Sequence, residues 1–426
     1  MNGSRIPRWV LWVVAGGAMA ASLALVARML NANYTTDLTA AGGTWWDFRD
    51  AGYFPVRAVL DGLIPYDVTS YFAAYPVGQE FPLLPPTYMV LHAPFQLFEL
   101  TTASFVMLFL NLIGIVLLSA WSLRLSRYKL TPLTVLTVST LVIVSSGGRN
   151  NLFSGQATLV FVAGAYLALT ASDTGRGSVG VFVSLIKFGI GVPVTILIAA
   201  AGRYRRAANG ALAAIGVSAL LMIPFVFWAG GVGPLVDILS ENATFSAESR
   251  WISLQTTTAR VDASATIAMI FDVAPSQTVQ LVVGALILGG TALLLFRRRS
   301  VITHRPYNDL VIVLICLATI TSIYHSFYDL VLLILPTILL TRADFADGAV
   351  HRTVRIAALG SLLVAGFNPF RIESVANLIG ASSRTADVLA TGVTGLSLLV
   401  ALSLVALAVS RIQMPRTSPI VSAKAD

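Results

Sequence analysis

One cysteine, Cys316, occurs in this 426-residue chain, and it lies inside an apolar run. An internal disulfide is therefore excluded, and so is a metal site built on cysteine. Histidine is nearly as scarce: His92, His304, His325 and His351 stand far apart. Charge is short too. Only 11% of residues are Asp, Glu, Lys or Arg, against about 25% in an ordinary soluble chain. There is no P-loop, no GxGxxG following a strand, no HExxH and no GxSxG. Nucleotide-driven transport, zinc proteolysis and the hydrolase nucleophile elbow thus lack support. No internal repeat or low-complexity tract is visible.

What the chain has is hydrocarbon. It is 56% hydrophobic, with a mean hydropathy of +0.80. Its repeated apolar runs of roughly 18–20 residues suit a hydrocarbon layer about 30 Å thick. The fold class expected is an all-α polytopic membrane protein. The net charge of +8 is not a nucleic-acid signal, because the basic residues cluster between apolar runs, as on a cytosolic membrane face. Arg5 and Arg8 precede a run from Trp9, and Ala18-Met19-Ala20 resembles a signal cleavage site. The run continues to Leu30, so an uncleaved first helix is expected.

Charge then sets the sides. With the N-terminus cytosolic, helix 9–30 goes out and residues 31–84 form a first external loop. Within it, Phe54, Ala58 and Val59 share a face of a surface amphipathic helix ended by Gly62. Residues 83–99 carry Pro85, Pro86 and Pro94 and fit a re-entrant segment better than a span. Runs 103–123, 131–146 and 157–172 follow, with 147–156 as an external polar turn. Run 178–201 holds Lys187 and Pro193. A single crossing there would put Arg203, Arg205 and Arg206 outside, so two half-helices broken near Lys187 are expected. Residues 231–278 make a second external loop. Spans 209–230, 279–296, 309–323, 329–341, 356–367 and 386–410 complete a bundle of about ten spans plus two re-entrant or broken hairpins. The whole chain reads as one membrane domain with a cytosolic tail at 411–426.

This assignment brings the unusual polar residues to one side. Asp47, Asp50, Arg149, Asn150, Asn151, Gln156, His325 and Asp329 all fall on or near the external face, which points to an external cavity. Asp47 and Asp50, three apart, offer a general base; the plainer reading is acidic residues favoured at a helix N-terminus. Tyr324-His325-Ser326-Phe327-Tyr328-Asp329 joins two apolar runs, and ionisable groups at that depth are usually functional; the alternative is a solvated loop with interfacial aromatics. Gly147–Gln156 offers amides and Arg149 to a sugar or phosphate, or is simply a polar turn. Lys187 needs a partner: a lipid phosphate, an internal Asp, or water reached by snorkelling. Arg250 and Arg260 are weaker phosphate clamps.

These features, in order, resemble glycosyltransferase family 87 of the C-type superfamily, whose members use polyprenyl-phosphate sugars. The resemblance lies in Asp47-Phe48, Val56-Arg57-Ala58, Gly62 and Tyr66-Asp67, and in Tyr75-Pro76 and Phe81-Pro82 leading to Pro85-Pro86. It continues through Asn150 to Gln156, Lys187 before Arg203–Arg206, and Tyr324-His325 with Tyr328-Asp329. The family includes mannosyl- and arabinofuranosyltransferases of cell-envelope glycolipids. The resemblance implies transfer from a lipid phosphate to a hydroxyl of a glycolipid or glycan outside the plasma membrane, with inversion. It implies an aspartate base in the first external loop, either Asp47 or Asp50. Asp47 matches the Asp-Phe element but lies one residue further from Arg57 than the usual spacing. It further implies donor or acceptor binding by His325, with Asp329, Arg149, Asn150, Gln156, Lys187 and Arg250 as companions. Neither a metal nor any obligatory cofactor besides the donor is expected. The partners are membrane lipids, the lipid-linked donor and the acceptor, with no nucleic acid. The rival readings are a secondary transporter or lipid flippase, suggested by the broken helix and Lys187, and a non-catalytic envelope scaffold.

Overall fold

A computed structural model describes residues 8–35, 46–248, 254, 259–300, 307–342, 349–371, 375 and 383–412. Helices α1 (Arg8–Thr35), α2 (Phe54–Leu60), α3 (Val68–Ala74), α4 (Pro86–His92) and α5 (Leu100–Leu125) come first. Next are α6 (Pro132–Val144), α7 (Ser146–Ser154), α8 (Thr158–Thr170), α9 (Thr174–Leu185) and α10 (Phe188–Ala200). Then follow α11 (Tyr204–Trp228), α12 (Val232–Glu248), α13 (Ala263–Phe271), α14 (Gln277–Arg298) and α15 (Tyr307–Ser322). The last are α16 (Ile334–Leu340), α17 (Ala349–Gly366), α18 (Ser383–Asp387) and α19 (Val393–Ser410). Among the described residues there is no strand, only an isolated antiparallel bridge between Arg260 and Ser326.

Among the described residues, five helices are long and apolar enough to cross a membrane: Trp12–Asn31 within α1, then α5, α11, α14, and Arg384–Ser410. The expectation of about ten spans counted shorter apolar runs as crossings. Those runs form pieces such as α6 and α8, each 13 residues long, which reach only about 20 Å. The long outer helices declare their solvent. On α11, Leu212, Leu220 and Phe227 are 67%, 67% and 77% exposed. An apolar helix left bare on most sides belongs in lipid.

The centre is α15, buried from Asp309 to Ser322 and packed on α10, α14, α16 and α19. A 3-10 stretch, Phe327–Leu333, precedes α16 and leaves backbone groups that hydrocarbon cannot satisfy. Tyr166, fully buried on α8, repairs this. Its hydroxyl donates to the Leu332 carbonyl at 3.0 Å and accepts the Leu335 N–H at 2.9 Å.

The break expected near Lys187 is present. Lys187 is extended (φ −116°, ψ 98°), between the end of α9 and the start of α10. Helices α8 and α9 meet closely, as small residues allow in membranes. A Cβ on Gly180 would sit 2.3 Å from the Ala168 backbone nitrogen. Gly180→Val should therefore push α9 off α8 at a cost of about 1–3 kcal/mol or more. A lowered melting temperature in detergent is the readout; an unchanged one would mean the crossing adapts.

Two segments differ from expectation. Residues 50–62 lie only partly on the surface: Arg57, Leu60 and Asp61 are exposed along α2 and at its end, while the turn before it is buried. A π-helical turn, Asp47–Tyr53, runs into α2 and packs on α4 and α5, burying Phe48, Asp50 and Ala58 completely. Gly62 (φ +76°) follows it, as anticipated. Residues 147–156 are not a turn but mostly the helix α7, capped by Ser145 Oγ on the Gly148 N–H at 3.2 Å. The glycines there serve close approach: a Cβ on Gly147 would lie 2.9 Å from the Val331 nitrogen in the 3-10 stretch.

Candidate active site

A cavity of about 280 Å³ opens between the first loop, the Lys187 break and the Tyr324–Asp329 turn. Two larger grooves, of about 510 and 450 Å³, are lined mostly by apolar side chains and contain one titratable group between them, His92. The smaller cavity gathers Asp47, Glu80, Lys187, Tyr324, Tyr328 and Asp329. Chemistry that moves protons or stabilises phosphate needs such groups.

Asp47 opens the π-helical turn and is 8% exposed. Its Oδ1 accepts from Gln79 Nε2 at 3.0 Å, whereas Oδ2 has no hydrogen-bond partner among the described residues. Burial pushes the Asp47 carboxyl above its ordinary value, against the pull of the Gln79 amide and the Lys187 charge. Asp50 is placed otherwise. It is fully buried and does not line the cavity. Arg49 holds it with two bonds, at 2.5 and 3.2 Å, and the N–H groups of Gly78 and Gln79 donate to it at 2.9 and 3.2 Å. Its lone pairs are occupied, and its work is to hold residues 78–79 beside Asp47.

Lys187 caps the break between α9 and α10. Its Nζ donates to Asp329 Oδ1 at 2.5 Å and to Thr158 Oγ1 at 3.1 Å, and lies 4.4 Å from the Tyr328 ring centre. The internal Asp is thus its partner, while Lys187 still lines the cavity. Asp329 also binds His325 Nδ1 at 2.9 Å through Oδ2, which accepts the Ser326 N–H at 3.3 Å. His325 is completely buried, with Nε2 unpartnered among the described residues. It is not in the cavity wall and reaches the site through Asp329.

The second loop is pinned to this turn. The Val261 N–H donates to the His325 carbonyl and the Phe327 N–H to the Ala259 carbonyl, each at 2.9 Å. Arg260 is held by both oxygens of Asp262 at 2.8 and 2.9 Å and lies over the Tyr324 ring at 5.2 Å. It is a brace for the wall.

A model of glycosyltransferase family 87 matches residues 83–326, more than half of the chain. The chain belongs to glycosyltransferase family 87. Neither the curated proteins nor the solved structures searched contain a match. The matched stretch of this family 87 protein takes in Gln156, Lys187 and His325; Asp47 precedes it and Asp329 follows it. Membership makes the protein a transferase, so the transporter and scaffold readings are not carried further.

The remaining candidates scatter. Gln156 lines the cavity, set there by the left-handed Gly155 (φ +71°) that ends α7. Asn150 spends its amide on the Ser146 carbonyl at 2.7 Å, and neither it nor Arg149 is in the wall. Arg250 lies outside the described residues. Sequence reasoning passed over Gln79 and Glu80, which are in the wall. The available signal was Glu80 itself, the lone charge in an uncharged, proline-rich run from Tyr75 to Pro86.

Proposed function

We propose that this protein moves a glycosyl residue, of the mannose or arabinofuranose class, from a polyprenyl-phosphate donor to a hydroxyl of a glycolipid or cell-envelope glycan. Transfer takes place at the extracytoplasmic face of the plasma membrane, with both termini cytosolic. It is one displacement with inversion. The acceptor oxygen attacks the anomeric carbon as its proton passes to Asp47. The bond from that carbon to the phosphate oxygen breaks, and its electron pair leaves with the lipid phosphate. Lys187 offsets the charge on the departing phosphate, while Asp329, braced by His325, keeps the ammonium in place. Gln156 orients substrate. The reading calls for no cofactor besides the donor itself.

One observation carries this: Asp47, with an oxygen unpartnered among the described residues, lines the same cavity as Lys187. A base and a phosphate-binding cation sharing one cavity are the parts a lipid-phosphate donor demands, because the donor brings its own activation. The test is purified protein in detergent with polyprenyl-phosphate mannose or polyprenyl-phosphate arabinofuranose and a membrane glycolipid extract as acceptor. The expected product has the anomeric configuration opposite to the donor's. Turnover of nucleotide sugars instead, or a retained configuration, would sink the reading.

A further inference from the structure

We propose that Glu80 reads the donor sugar, its carboxylate accepting hydrogen bonds from sugar hydroxyls and suiting the cavity to a neutral, hydroxyl-rich ring. The proposal rests on the lipid-phosphate donor reading above. It starts from how tightly the neighbours of Glu80 are tied. The N–H groups of Gly78 and Gln79 both donate to Asp50. The Gln79 side chain is bound to Asp47. On the other side, the Phe81 carbonyl accepts from Asn242 Nδ2 at 3.0 Å, and the same amide donates to the Tyr66 carbonyl at 3.0 Å. The Phe81 ring is fully buried, 5.1 Å from that of Tyr66.

Glu80 itself is different. It is only 5% exposed and lines the cavity, yet its carboxylate has no hydrogen bond or ion pair among the described residues. A carboxylate at a cavity wall with no protein partner among the described residues keeps its acceptor sites for what enters the cavity, and here its backbone is held in place from both sides. Such preorganisation is what a ligand-reading group needs. An ionised carboxylate only accepts, through roughly four lone-pair sites. Its complement is a set of donors, and a sugar ring supplies hydroxyls. The same wall repels a uronic acid, since Asp47 and Asp329 already outnumber Lys187 there. Glu80 is the third carboxylate of the cavity and, unlike Asp329, is not neutralised by a cation.

The experiment uses the full chain in detergent and whichever of polyprenyl-phosphate mannose and polyprenyl-phosphate arabinofuranose it turns over, with the single-deoxy forms of that donor. A site built to bind a hydroxyl rejects the analogue lacking it, by up to about 10⁴–10⁵. The wild type should lose at least about 10²-fold in kcat/KM on one deoxy donor, and Glu80→Gln should narrow that gap to about 10-fold or less. Glu80→Gln should also raise donor KM more than it lowers kcat and keep the acid limb of the rate profile. Glu80→Asp, charged but one methylene shorter, should fall between. Intact deoxy discrimination in Glu80→Gln overturns the proposal. So does a collapse of kcat at unchanged KM with loss of the acid limb, which would make Glu80 the proton acceptor. If Glu80→Gln does not fold, the wild-type series decides: no deoxy donor penalised beyond about 10-fold overturns it. Wild type that turns over neither donor refutes the donor reading and this proposal with it. Wild type that works while Glu80→Gln reads deoxy donors as before refutes this proposal alone.

Discussion

Asp47→Asn is expected to lower kcat for glycosyl transfer by about 10²–10⁴-fold, the range over which a positioned general base acts, while leaving the protein folded and no less stable. The two halves have one cause. Burial has pushed the Asp47 carboxyl up, so its ionised form is disfavoured in the folded protein. Removing that charge relieves the fold at neutral pH and deletes the proton acceptor. The sign for pH follows directly. Transfer needs the carboxylate, so the rate is full above the raised pKa and falls as pH drops through it. The acid limb should thus lie above the ordinary 3.8 of an aspartate. Asp50→Asn should behave in the opposite way. It breaks the buried ion pair with Arg49 and loosens the Gly78–Gln79 turn, so melting should fall first and activity with it. The check is one set of purified variants assayed for transfer across pH and melted in the same detergent. Wild-type turnover in Asp47→Asn, or an unshifted acid limb, would remove Asp47 as the base.

Much of this arrangement is legible in the sequence, where a residue contradicts its surroundings. Lys187 between Ile186 and Phe188, with Pro193 following, marks a broken helix, and the break is there. His325 and Asp329, four apart, meet as their spacing suggests, although through a capped 3-10 turn. What stays hidden is long-range. Nothing near residue 47 separates Asp47 from Asp50. The difference is made by Gly78 and Gln79, about thirty positions later, which occupy one carboxylate and leave an oxygen of the other unpartnered among the described residues. Residues 147–156 look like a turn because glycine usually signals one; here Gly147 admits the backbone of the Phe327–Leu333 stretch instead. The span count is supported only in part: five helices among the described residues have the length and apolarity to cross. Hydropathy cannot tell an apolar helix that crosses lipid from a short one packed among its neighbours, and α8, 13 residues long and mostly buried, is not among the five.

Replacing Asp329 with Asn should cost about 3–5 kcal/mol of stability, because it leaves the Lys187 ammonium buried without its counter-charge. Lys187 is bound to Asp329 at 2.5 Å, with side chains 14% and 2% exposed, so water screens little of that loss. Lys187→Met has a smaller structural cost, since Asp329 keeps His325 and the Ser326 N–H. Its effect should fall on transfer, where the phosphate loses its cation. The two roles separate in the double variant Lys187→Met/Asp329→Leu. Buried ion pairs replaced whole by apolar side chains are often neutral for stability or better, so melting should return toward the wild-type value. Activity should not return, because nothing then balances the leaving phosphate. Melting and transfer measured on all three proteins form a double-mutant cycle. Recovery of both would make the pair a structural strut; recovery of stability without turnover is the outcome expected of an ion pair that holds a phosphate-binding cation in place at the cavity wall.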